Sequence, residues 1–311
     1  MVTAVRHHPE DVINVVGLLR RQTTTADLEL IVVDNRPAHR LDRLLVPDHG
    51  PSLHISVLRE RRAGLSIARN RGISAARGEY VAITDPDVQP DPAWIERLVR
   101  ASSETGAFCV GGSYTTVYPG GAVIPLTSEL RECHGPLRWP DRRVRCAWPY
   151  WISGCNMLFH RQTALSLGLF RTDLGRKGRR LLGCEDLEFV QRAAQAGHAA
   201  LIEPAAHVVH PVRRPCTSAR WFLFQGIGHG ISVARMEMTT TVPAAAIRTR
   251  KADLTGALQT LLHSFAPLDR GRVVEAARNL LRIIAYHAER RRLRVMRRGQ
   301  TTSPALSQLE A

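Results

Sequence analysis

The sequence predicts an α/β fold with a doubly wound sheet, followed by a helical C-terminal extension. Residues 2–5 and 28–33 are short apolar runs rich in β-branched residues, and between them apolar residues recur at helical spacing. A strand, a helix and a second strand within about 35 residues form a βαβ unit, which implies a parallel sheet. From Thr217 onward the pattern is mostly helical, and we expect a separate helical element there.

The composition is that of a folded chain with an excess of positive charge. The chain has 311 residues, of which 44% are hydrophobic, and this excludes a disordered protein because one large core or two modest ones can form. The formal net charge is +15, and nearly all basic residues are arginines. Arginine binds phosphate and carboxylate bidentately, so the charge suits nucleotides, nucleic acid or an anionic membrane surface. A GC-rich coding bias is an equally good explanation of the arginines.

The cysteines and the apolar segments indicate where the protein works. Six cysteines lie far apart, without a Cys-x-x-Cys motif or the His and Cys spacing of a zinc site. We therefore expect reduced thiols in a cytoplasmic protein. Residues 1–8 lack the apolar core of a signal peptide, and no segment approaches about 18 uninterrupted apolar residues. The sequence predicts neither export nor a membrane span.

Acidic residues follow two of the apolar strands. One run stops at Asp34, and another stops at Asp85-Pro86-Asp87. Ligands bind at the carboxyl ends of the strands in open α/β sheets, so these acids are expected at one edge. Asp and Pro are also ordinary turn residues, and a strand-end Asp can cap a helix. Each segment is therefore either part of a ligand site or a turn.

A third strand at 55–58 and a helix are expected between these two segments. The helix has Ser66 near its start and Gly78 as its stop. Arg69 and Arg71 cannot both share a face with its apolar residues without cost. At least one of them is expected to point toward the sheet edge, and a solvated position is an equal alternative for either one.

The rest of the predicted α/β region is less regular. In chain order we expect a helix capped by Asp91, a strand at 108–112 ending in a flexible glycine pair, and aperiodic loops over 113–149. Residues 150–159 form either a buried strand or a wall of the acceptor pocket. A helix over 184–196 and a strand at 199–202 follow, and after the strand come His207 and His210. The helix at 184–196 opens with acidic residues, which are favourable near a helix N-terminus, so capping alone would explain them. A His beside an apolar strand is more often structural than a ligand.

Five motifs in register carry a resemblance to a known family. They are Leu-Ile-Val-Val-Asp-Asn at 30–35, Gly-Leu-Ser-Ile-Ala-Arg-Asn-Arg-Gly at 64–72, Ala-Arg-Gly-Glu-Tyr-Val-Ala-Ile-Thr-Asp-Pro-Asp at 76–87, Gly-Cys-Asn-Met at 154–157 and Leu-Gly-Cys-Glu-Asp-Leu-Glu at 182–188. In order and spacing they resemble the inverting family 2 glycosyltransferases over roughly residues 1–212. The resemblance implies the GT-A fold, a doubly wound mixed sheet with helices on both faces.

The resemblance also implies an activity and its cofactor. It implies transfer of a sugar from a nucleotide diphosphate sugar to an acceptor hydroxyl, with Mg²⁺ or Mn²⁺ bound. The expected donor is a UDP-sugar, with GDP- and dTDP-sugars as alternatives, and the acceptor is a glycan, a lipid-linked sugar or a small natural product. A departing diphosphate develops negative charge, which a hard cation held by oxygen ligands stabilises.

Donor residues follow from the same resemblance. Asp34 matches the carboxylate that reads the base, and Arg69 matches the basic residue near the diphosphate. Asp85 is expected toward the ribose, and Arg6 also falls among the donor-binding positions.

The metal site is implied in the same way. Asp87 matches the metal-binding acid of the Asp-x-Asp motif, and His210 lies where relatives often carry a histidine near the metal. Many relatives have Asp in the position of Pro86, which is a departure that leaves both outer carboxylates in place.

Catalytic and acceptor residues are likewise implied by the resemblance. Asp186 matches the general base, with Glu185 beside it in the catalytic pair. An inverting transfer needs one carboxylate to take the proton of the acceptor hydroxyl as its oxygen attacks C1. Trp151, Asn156 and Glu188 are expected to contact the acceptor.

Four segments are expected along the chain. Residues 1–112 form the nucleotide-sugar-binding half, 113–212 the half that binds the acceptor and carries the base, 213–298 the helical extension, and 299–311 a disordered tail. Two other function classes remain open, a non-catalytic nucleotide-binding relative and a basic binder of nucleic acid or membrane. Aromatic residues make up only 5% of the chain and are not interleaved with basic ones, so no nucleic-acid partner is expected.

The extension is expected to contain helices at 254–265 and 272–298. An apolar stripe on the second helix is formed by Val273, Val274, Ala277, Leu280, Leu281, Ile284 and Ala285. Its many arginines could place this helix on an anionic membrane at the inner face, as a peripheral contact. The alternative is that the stripe packs on the catalytic domain and the arginines are solvated.

Overall fold

The structure is a computed structural model that describes residues 1–5, 8, 10–36, 53–147, 150–240, 254–264 and 269–301, with side chains placed through residue 297. Arg6, which was predicted to bind the donor, lies outside the described residues. So does most of the tail predicted to be disordered, although the last helix extends to Thr301 and so enters the first residues of that tail.

A mixed sheet of nine strands forms the centre of the described chain. The strands are β1 (Val2–Val5), β2 (Leu28–Asp34), β3 (Leu53–Arg59), β4 (Tyr80–Thr84), β5 (Gln89–Pro90), β6 (Cys109–Val117), β7 (Val144–Arg145), β8 (Asn156–His160) and β9 (Ala200–Pro211). Their order is β3-β2-β1-β4-β8-β6-β9-β5, with β7 also on β9. The strands β1 to β4 pair in parallel, and β8 lies antiparallel between β4 and β6. The predicted parallel βαβ start is therefore confirmed.

Helices lie on both faces of this sheet, and the three C-terminal helices pack on one another. The helices are α1 (Asp11–Leu19), α2 (Leu65–Ala75), α3 (Trp94–Thr105), α4 (Ser128–Glu132), α5 (Arg161–Ser166), α6 (Glu185–Gln195), α7 (Ala219–Met236), α8 (Leu254–His263) and α9 (Arg270–Thr301). Successive side chains of a strand point to opposite faces. Leu30 and Val32 accordingly join the core under α1 and α3, whereas Ile31 and Val33 join the core under α2, α5 and α6. The predicted doubly wound arrangement is confirmed.

Strand β6 differs from its prediction. It was expected to end in a flexible pair at Gly111 and Gly112, but the strand continues through both to Val117. A Cβ on Gly112 would lie 1.9 Å from the carbonyl oxygen of Ala206, and one on Gly111 would lie 2.6 Å from Ile152. The pair is glycine because neighbouring elements approach closely. The strand also crosses the predicted boundary between residues 112 and 113, so both predicted halves share one sheet.

Glycines have the same role in the extension. Helix α7 runs without a break through Gly226, Gly228 and Gly230. A Cβ on Gly226 would lie 2.6 Å from the carbonyl oxygen of Arg278, and one on Gly230 would lie 2.2 Å from that of Arg282. Both carbonyls belong to α9, so the glycines let the two helices pack closely.

The buried face of α9 is rotated from the predicted apolar stripe. Ala276, Ile283, Tyr286 and Glu289 are buried, whereas Ile284 of the predicted stripe is 43% exposed. Ion pairs explain part of the shift, because Glu289 binds Arg235 of α7 at 2.8 Å. In the described part of the chain, none of the helices combines the length and the apolar character that a bilayer crossing requires.

Candidate active site

The first acid of the predicted site, Asp34, lies at the carboxyl end of β2 and is buried. The Arg36 guanidinium donates to both of its carboxylate oxygens, at 2.9 Å from Nε to Oδ1 and 3.1 Å from Nη2 to Oδ2. The backbone N–H of Arg36 donates to Oδ1 as well, at 3.1 Å. The predicted base-reading carboxylate is therefore paired inside the protein, and a base that is to reach it must meet Arg36 first.

A second acid on the neighbouring strand repeats this arrangement. Glu60 follows β3, and it accepts hydrogen bonds from the backbone and the guanidinium of Arg62. Asn35 links the two acids, because its amide donates to the carbonyls of Glu60 and Arg62 at 2.8 Å. Sequence reasoning missed Arg36 and Glu60, although an arginine two residues after a strand-end acid was a readable signal in both places.

Arg69 connects the two predicted halves of the site. It lies on α2 and is buried, with a side chain only 3% exposed. Its Nη1 donates to Glu185 Oε1, and its Nη2 donates to Asp85 Oδ1 and to the carbonyl oxygen of Gly154, each at 3.0 Å. Asp85 comes from the edge of β4, and Glu185 begins α6. Arg69 thus holds the predicted donor loop against the predicted catalytic helix, and its direct contact with the donor diphosphate stays a prediction.

The charges in this network shift the pKa values of its members. Burial raises the pKa of Glu185 to about 7, and the adjacent Asp186 contributes to the rise while Arg69 opposes it. Burial disfavours the charge on Arg69, but Asp85 and Glu185 outweigh that effect and raise its pKa. The guanidinium therefore stays charged between two carboxylates, one of which titrates near neutral pH.

Asp186 lies on the more open side of the same network. Its Oδ2 accepts the backbone N–H of Gly154 at 2.8 Å, and its Oδ1 accepts the N–H of Leu187 at 2.8 Å. Gly154 thus links the two side chains, because its backbone N–H donates to Asp186 and its carbonyl oxygen accepts from Arg69. A Cβ at this position would lie 2.5 Å from Arg69 Nη1, which is why only glycine fits. Each carboxylate oxygen of Asp186 has a lone pair left for a further proton donor.

The segment Asp85-Pro86-Asp87 is a turn as well as part of the site. The backbone N–H of Val88 donates to the Asp85 carbonyl at 3.2 Å, which closes a four-residue turn. Pro86 occupies its second position, where the fixed φ of proline suits the common turn types. The departure from the family pattern at Pro86 therefore has a structural reason.

Asp87 and His210 are electrostatic neighbours. Burial and the charge of Asp85 raise the pKa of Asp87, and His210 opposes the rise. His210 lies on β9, and its Nδ1 is buried with no hydrogen-bond partner within the described chain. An unsatisfied buried ring nitrogen beside a carboxylate is a suitable donor set for a divalent metal. Across the described ranges, no three His, Cys, Asp or Glu side chains cluster as a metal site.

Two predicted acceptor contacts are corrected by the structure. Asn156 is fully buried, accepts from Trp94 Nε1 at 2.7 Å, and donates to the carbonyls of Ser113 and Ala206. Glu188 is also fully buried and binds Arg192 through both carboxylate oxygens at 2.9 Å. Neither side chain can meet an acceptor, because both are saturated within the core. Trp151 is half-buried and stays a prediction.

Comparison with known proteins identifies the family. Residues 2–163 match the model of glycosyl transferase family 2. The chain belongs to this family. Among curated relatives, this chain is 30% identical to the succinoglycan biosynthesis protein ExoM of Rhizobium meliloti (strain 1021), over 63% of this chain and 60% of that protein. It is 26% identical to the glucosyl-dolichyl phosphate glucuronosyltransferase of Haloferax volcanii, over 69% of each.

Solved structures share the fold of the family 2 chain. The mannosyltransferase PcManGT from Pyrobaculum calidifontis, in complex with GDP-Man and Mn²⁺, superposes with a TM-score of 0.61 at 17% identity, over 93% of this chain and 85% of that one. GalNAc-T7 with UDP, GalNAc and Mn²⁺ superposes with a TM-score of 0.51 at 17% identity, over 78% of this chain and 51% of that one. The predicted family and the predicted GT-A fold are both confirmed.

Proposed function

We propose that this protein is an inverting, divalent-metal-dependent glycosyltransferase that moves a sugar from a nucleotide diphosphate sugar to an acceptor hydroxyl. The main observation behind the proposal is that Arg69 bridges the donor loop and the catalytic helix. Its guanidinium donates to Asp85 Oδ1 of the donor loop and to Glu185 Oε1, next to Asp186, at 3.0 Å in both cases. Transfer of a sugar requires that the loop binding the donor and the catalytic base be held at a fixed distance from each other. The same edge of the sheet supplies Asp34 and Asp87.

Asp186 is the proposed general base. As the acceptor oxygen attacks C1, the bond from C1 to the diphosphate breaks and the acceptor proton passes to an Asp186 carboxylate oxygen. The hydrogen bonds from Gly154 and Leu187 orient this carboxylate and leave lone pairs for the acceptor hydroxyl. Base assistance of this kind is typically worth about 10²–10⁴-fold in rate.

Glu185 is proposed to position Asp186 and not to react itself. It is buried and held by Arg69, so it cannot reach an acceptor. Because its pKa is raised to about 7, its ionisation near neutral pH adds negative charge beside Asp186. An added negative charge favours proton uptake by a neighbouring carboxylate.

Asp87 and His210 would hold the divalent ion. A carboxylate and a neutral imidazole suit Mn²⁺, and oxygen ligands from the donor diphosphate would complete the shell. When bound, the ion stabilises the negative charge that develops on the leaving diphosphate. The unsatisfied Nδ1 of His210 supports this assignment, and Mg²⁺ is the alternative.

The donor is proposed to be a UDP-sugar, with GDP- and dTDP-sugars as alternatives. Related structures are complexes with GDP-Man or with UDP, which supports a nucleotide sugar without choosing the base. Asp34 is the proposed base-reading carboxylate, so Arg36 would have to exchange its ion pair for a base N–H or share the carboxylate with it.

A peripheral membrane contact through α9 remains a proposal, together with a cytoplasmic location. Arg291 and Arg294 are exposed, as are the apolar Val295 and Met296. A basic helix end with exposed apolar residues can lie on anionic lipid. Binding to vesicles with and without phosphatidylserine tests this contact independently of the enzymatic activity.

The test of the proposed activity is release of nucleoside diphosphate from a panel of UDP-, GDP- and dTDP-sugars, in Mn²⁺, in Mg²⁺ and in EDTA. We expect release from one base class only, and only with metal. Asp141→Asn, at an exposed acid, is the matched control for substitutions of the site acids. If no nucleotide sugar is turned over under any condition, the protein is not a glycosyltransferase of this kind and a binding role replaces it.

A further inference from the structure

A tight hairpin with four cations precedes the catalytic helix α6. Lys177 and Arg180 exchange backbone hydrogen bonds at 3.1 and 2.9 Å, and Gly178 makes the turn with a φ of +61°. Arg176, Lys177, Arg179 and Arg180 are all exposed. We refer to residues 176–180 as the basic hairpin.

The basic hairpin is fixed to the frame of the site. The N–H of Leu65, at the start of α2, donates to the Arg176 carbonyl at 2.8 Å, and Ser66 Oγ donates to the Leu174 carbonyl at 2.9 Å. On its other side, the N–H of Gly183 donates to Ser232 Oγ of α7 at 3.0 Å. These bonds hold the hairpin between two helices, so its cations are presented from a rigid base.

The hairpin also lies close to the catalytic network. A Cβ on Gly175 would lie 3.2 Å from the carboxyl carbon of Glu185. The Arg176 guanidinium lies 5.7 Å from the ring centre of Trp221, and its charge favours the ionised form of Glu185. Arg176 therefore lies beside the catalytic network, and the other three cations follow it within four residues of the chain.

The four cations are not held in ion pairs by carboxylates of the described part of the chain. Several arginines elsewhere are paired, as Arg36 is with Asp34 and Arg192 is with Glu188. None of the hairpin side chains forms an ion pair with a described carboxylate. Four like charges in five residues repel one another, and a bound anion would relieve that repulsion.

We propose that the basic hairpin binds a phosphate group carried by the acceptor. The inference rests on the proposed function, because it places the acceptor at Asp186. Phosphate fits better than a single carboxylate, since it carries up to two charges and its oxygens match arginine forks bidentately. The donor diphosphate is already served by Asp87 and its metal, so the hairpin is left for the second substrate. The phosphate could belong to a lipid carrier or to a free sugar phosphate.

The test uses three soluble probes and the full chain. Hexyl phosphate, glucose 1-phosphate and the neutral hexyl glucoside are titrated by calorimetry, with the donor site filled by UDP or GDP and Mn²⁺. We expect a Kd for at least one phosphate probe about tenfold lower than that for hexyl glucoside. Tighter binding of hexyl phosphate indicates a lipid-borne phosphate, and tighter binding of glucose 1-phosphate indicates a sugar phosphate.

Variants assign the effect to the hairpin. Lys177→Ala/Arg179→Ala/Arg180→Ala should raise the Kd of the phosphate probe about tenfold and leave that of hexyl glucoside within twofold. Arg21→Ala/Arg77→Ala/Arg100→Ala removes three exposed charges outside the site and should change neither. Equal losses in both variants, or none in the hairpin variant, would overturn the inference.

The inference and the proposed function fail separately. Turnover of a nucleotide sugar with phosphate affinity that is independent of the hairpin overturns the inference alone. Phosphate affinity that depends on the hairpin, without turnover of any nucleotide sugar, overturns the proposed function alone.

Discussion

Arg69 and the basic hairpin use the same residue type in opposite ways. The Arg69 side chain is 3% exposed, and its guanidinium donates hydrogen bonds to Asp85, Glu185 and Gly154. Arg179 and Arg180 of the hairpin are exposed and make no ion pair with a described carboxylate. A buried arginine in this site therefore fixes geometry, whereas an exposed one is available to a ligand. Changes in the Arg69 network should therefore alter chemistry and stability, and changes in the hairpin only affinity.

The largest effect is expected for Asp186→Asn, because the amide cannot take the acceptor proton. Turnover should fall about 10²–10⁴-fold, which corresponds to roughly 3–5 kcal/mol in the barrier. Donor affinity, measured by calorimetry, should stay unchanged. Near-normal turnover in this variant would remove Asp186 from the role of base.

Arg69→Met should separate the two classes of arginine by stability. It leaves two carboxylates at the network without their cation, and removing one partner of a buried ion pair costs about 3–5 kcal/mol. Arg179→Met, the matched change in the hairpin, should stay within about 0.5 kcal/mol. Urea unfolding of both variants measures this. If Arg69→Met and Arg179→Met lost similar amounts of unfolding free energy, the buried and the exposed arginine would not differ in their structural role.

Glu185→Gln tests the charge balance of the network through pH. The pKa of Glu185 is raised to about 7 in the folded protein, from 4.5, so the folded state keeps a proton that the unfolded state releases. Its contribution to stability is present below about pH 4.5 and is lost as pH rises toward 7. Glu185→Gln should therefore gain stability relative to the parent protein over this window, by roughly 2–3 kcal/mol.

The pH experiment compares unfolding free energies in urea at several values between pH 4.5 and 8. If the difference in unfolding free energy between Glu185→Gln and the parent protein does not grow from pH 4.5 to pH 8, Arg69 keeps Glu185 ionised throughout this range. Arg69 would then be a stronger partner than the burial of Glu185 indicates.

Pro86→Ala should have the smallest effect. Pro86 stiffens the turn closed by Val88 and Asp85, and removing such a proline typically costs about 0.4–1 kcal/mol through the entropy of the unfolded chain. The melting temperature should fall by a few degrees, and metal-dependent donor binding should persist. Loss of donor binding would show that Pro86 shapes the site beyond the turn.

Local patterns predicted much of this molecule. Strand-end acids such as Asp34 and Asp85 could be assigned to one sheet edge because the βαβ pattern dictates where parallel strands end. Helix α6 was predicted from its acidic first turn and apolar spacing, and its observed bounds are within one residue of the prediction. Periodicity and chain order carried these predictions, since both are encoded locally.

The sequence could not reveal contacts between distant segments. Asn156 was read as an acceptor contact because nothing local shows that Trp94, Ser113 and Ala206 surround it. Glu188 was likewise misread, although Arg192 four residues later was a signal for an ion pair. The glycine pair of β6 was read as flexible for the same reason, because close packing is visible only in the folded protein.

The central claim is that a nucleotide diphosphate and a divalent metal bind together at Asp87. The most direct measurement is the thermal stability of the parent protein and of Asp87→Asn with UDP, GDP or dTDP, each with and without Mn²⁺. We expect one nucleotide to raise the melting temperature of the parent protein only when Mn²⁺ is present, and we expect Asp87→Asn to lose this gain. Equal stabilisation of the variant, or no stabilisation of the parent protein by any nucleotide, would show that Asp87 does not bind a metal together with a nucleotide.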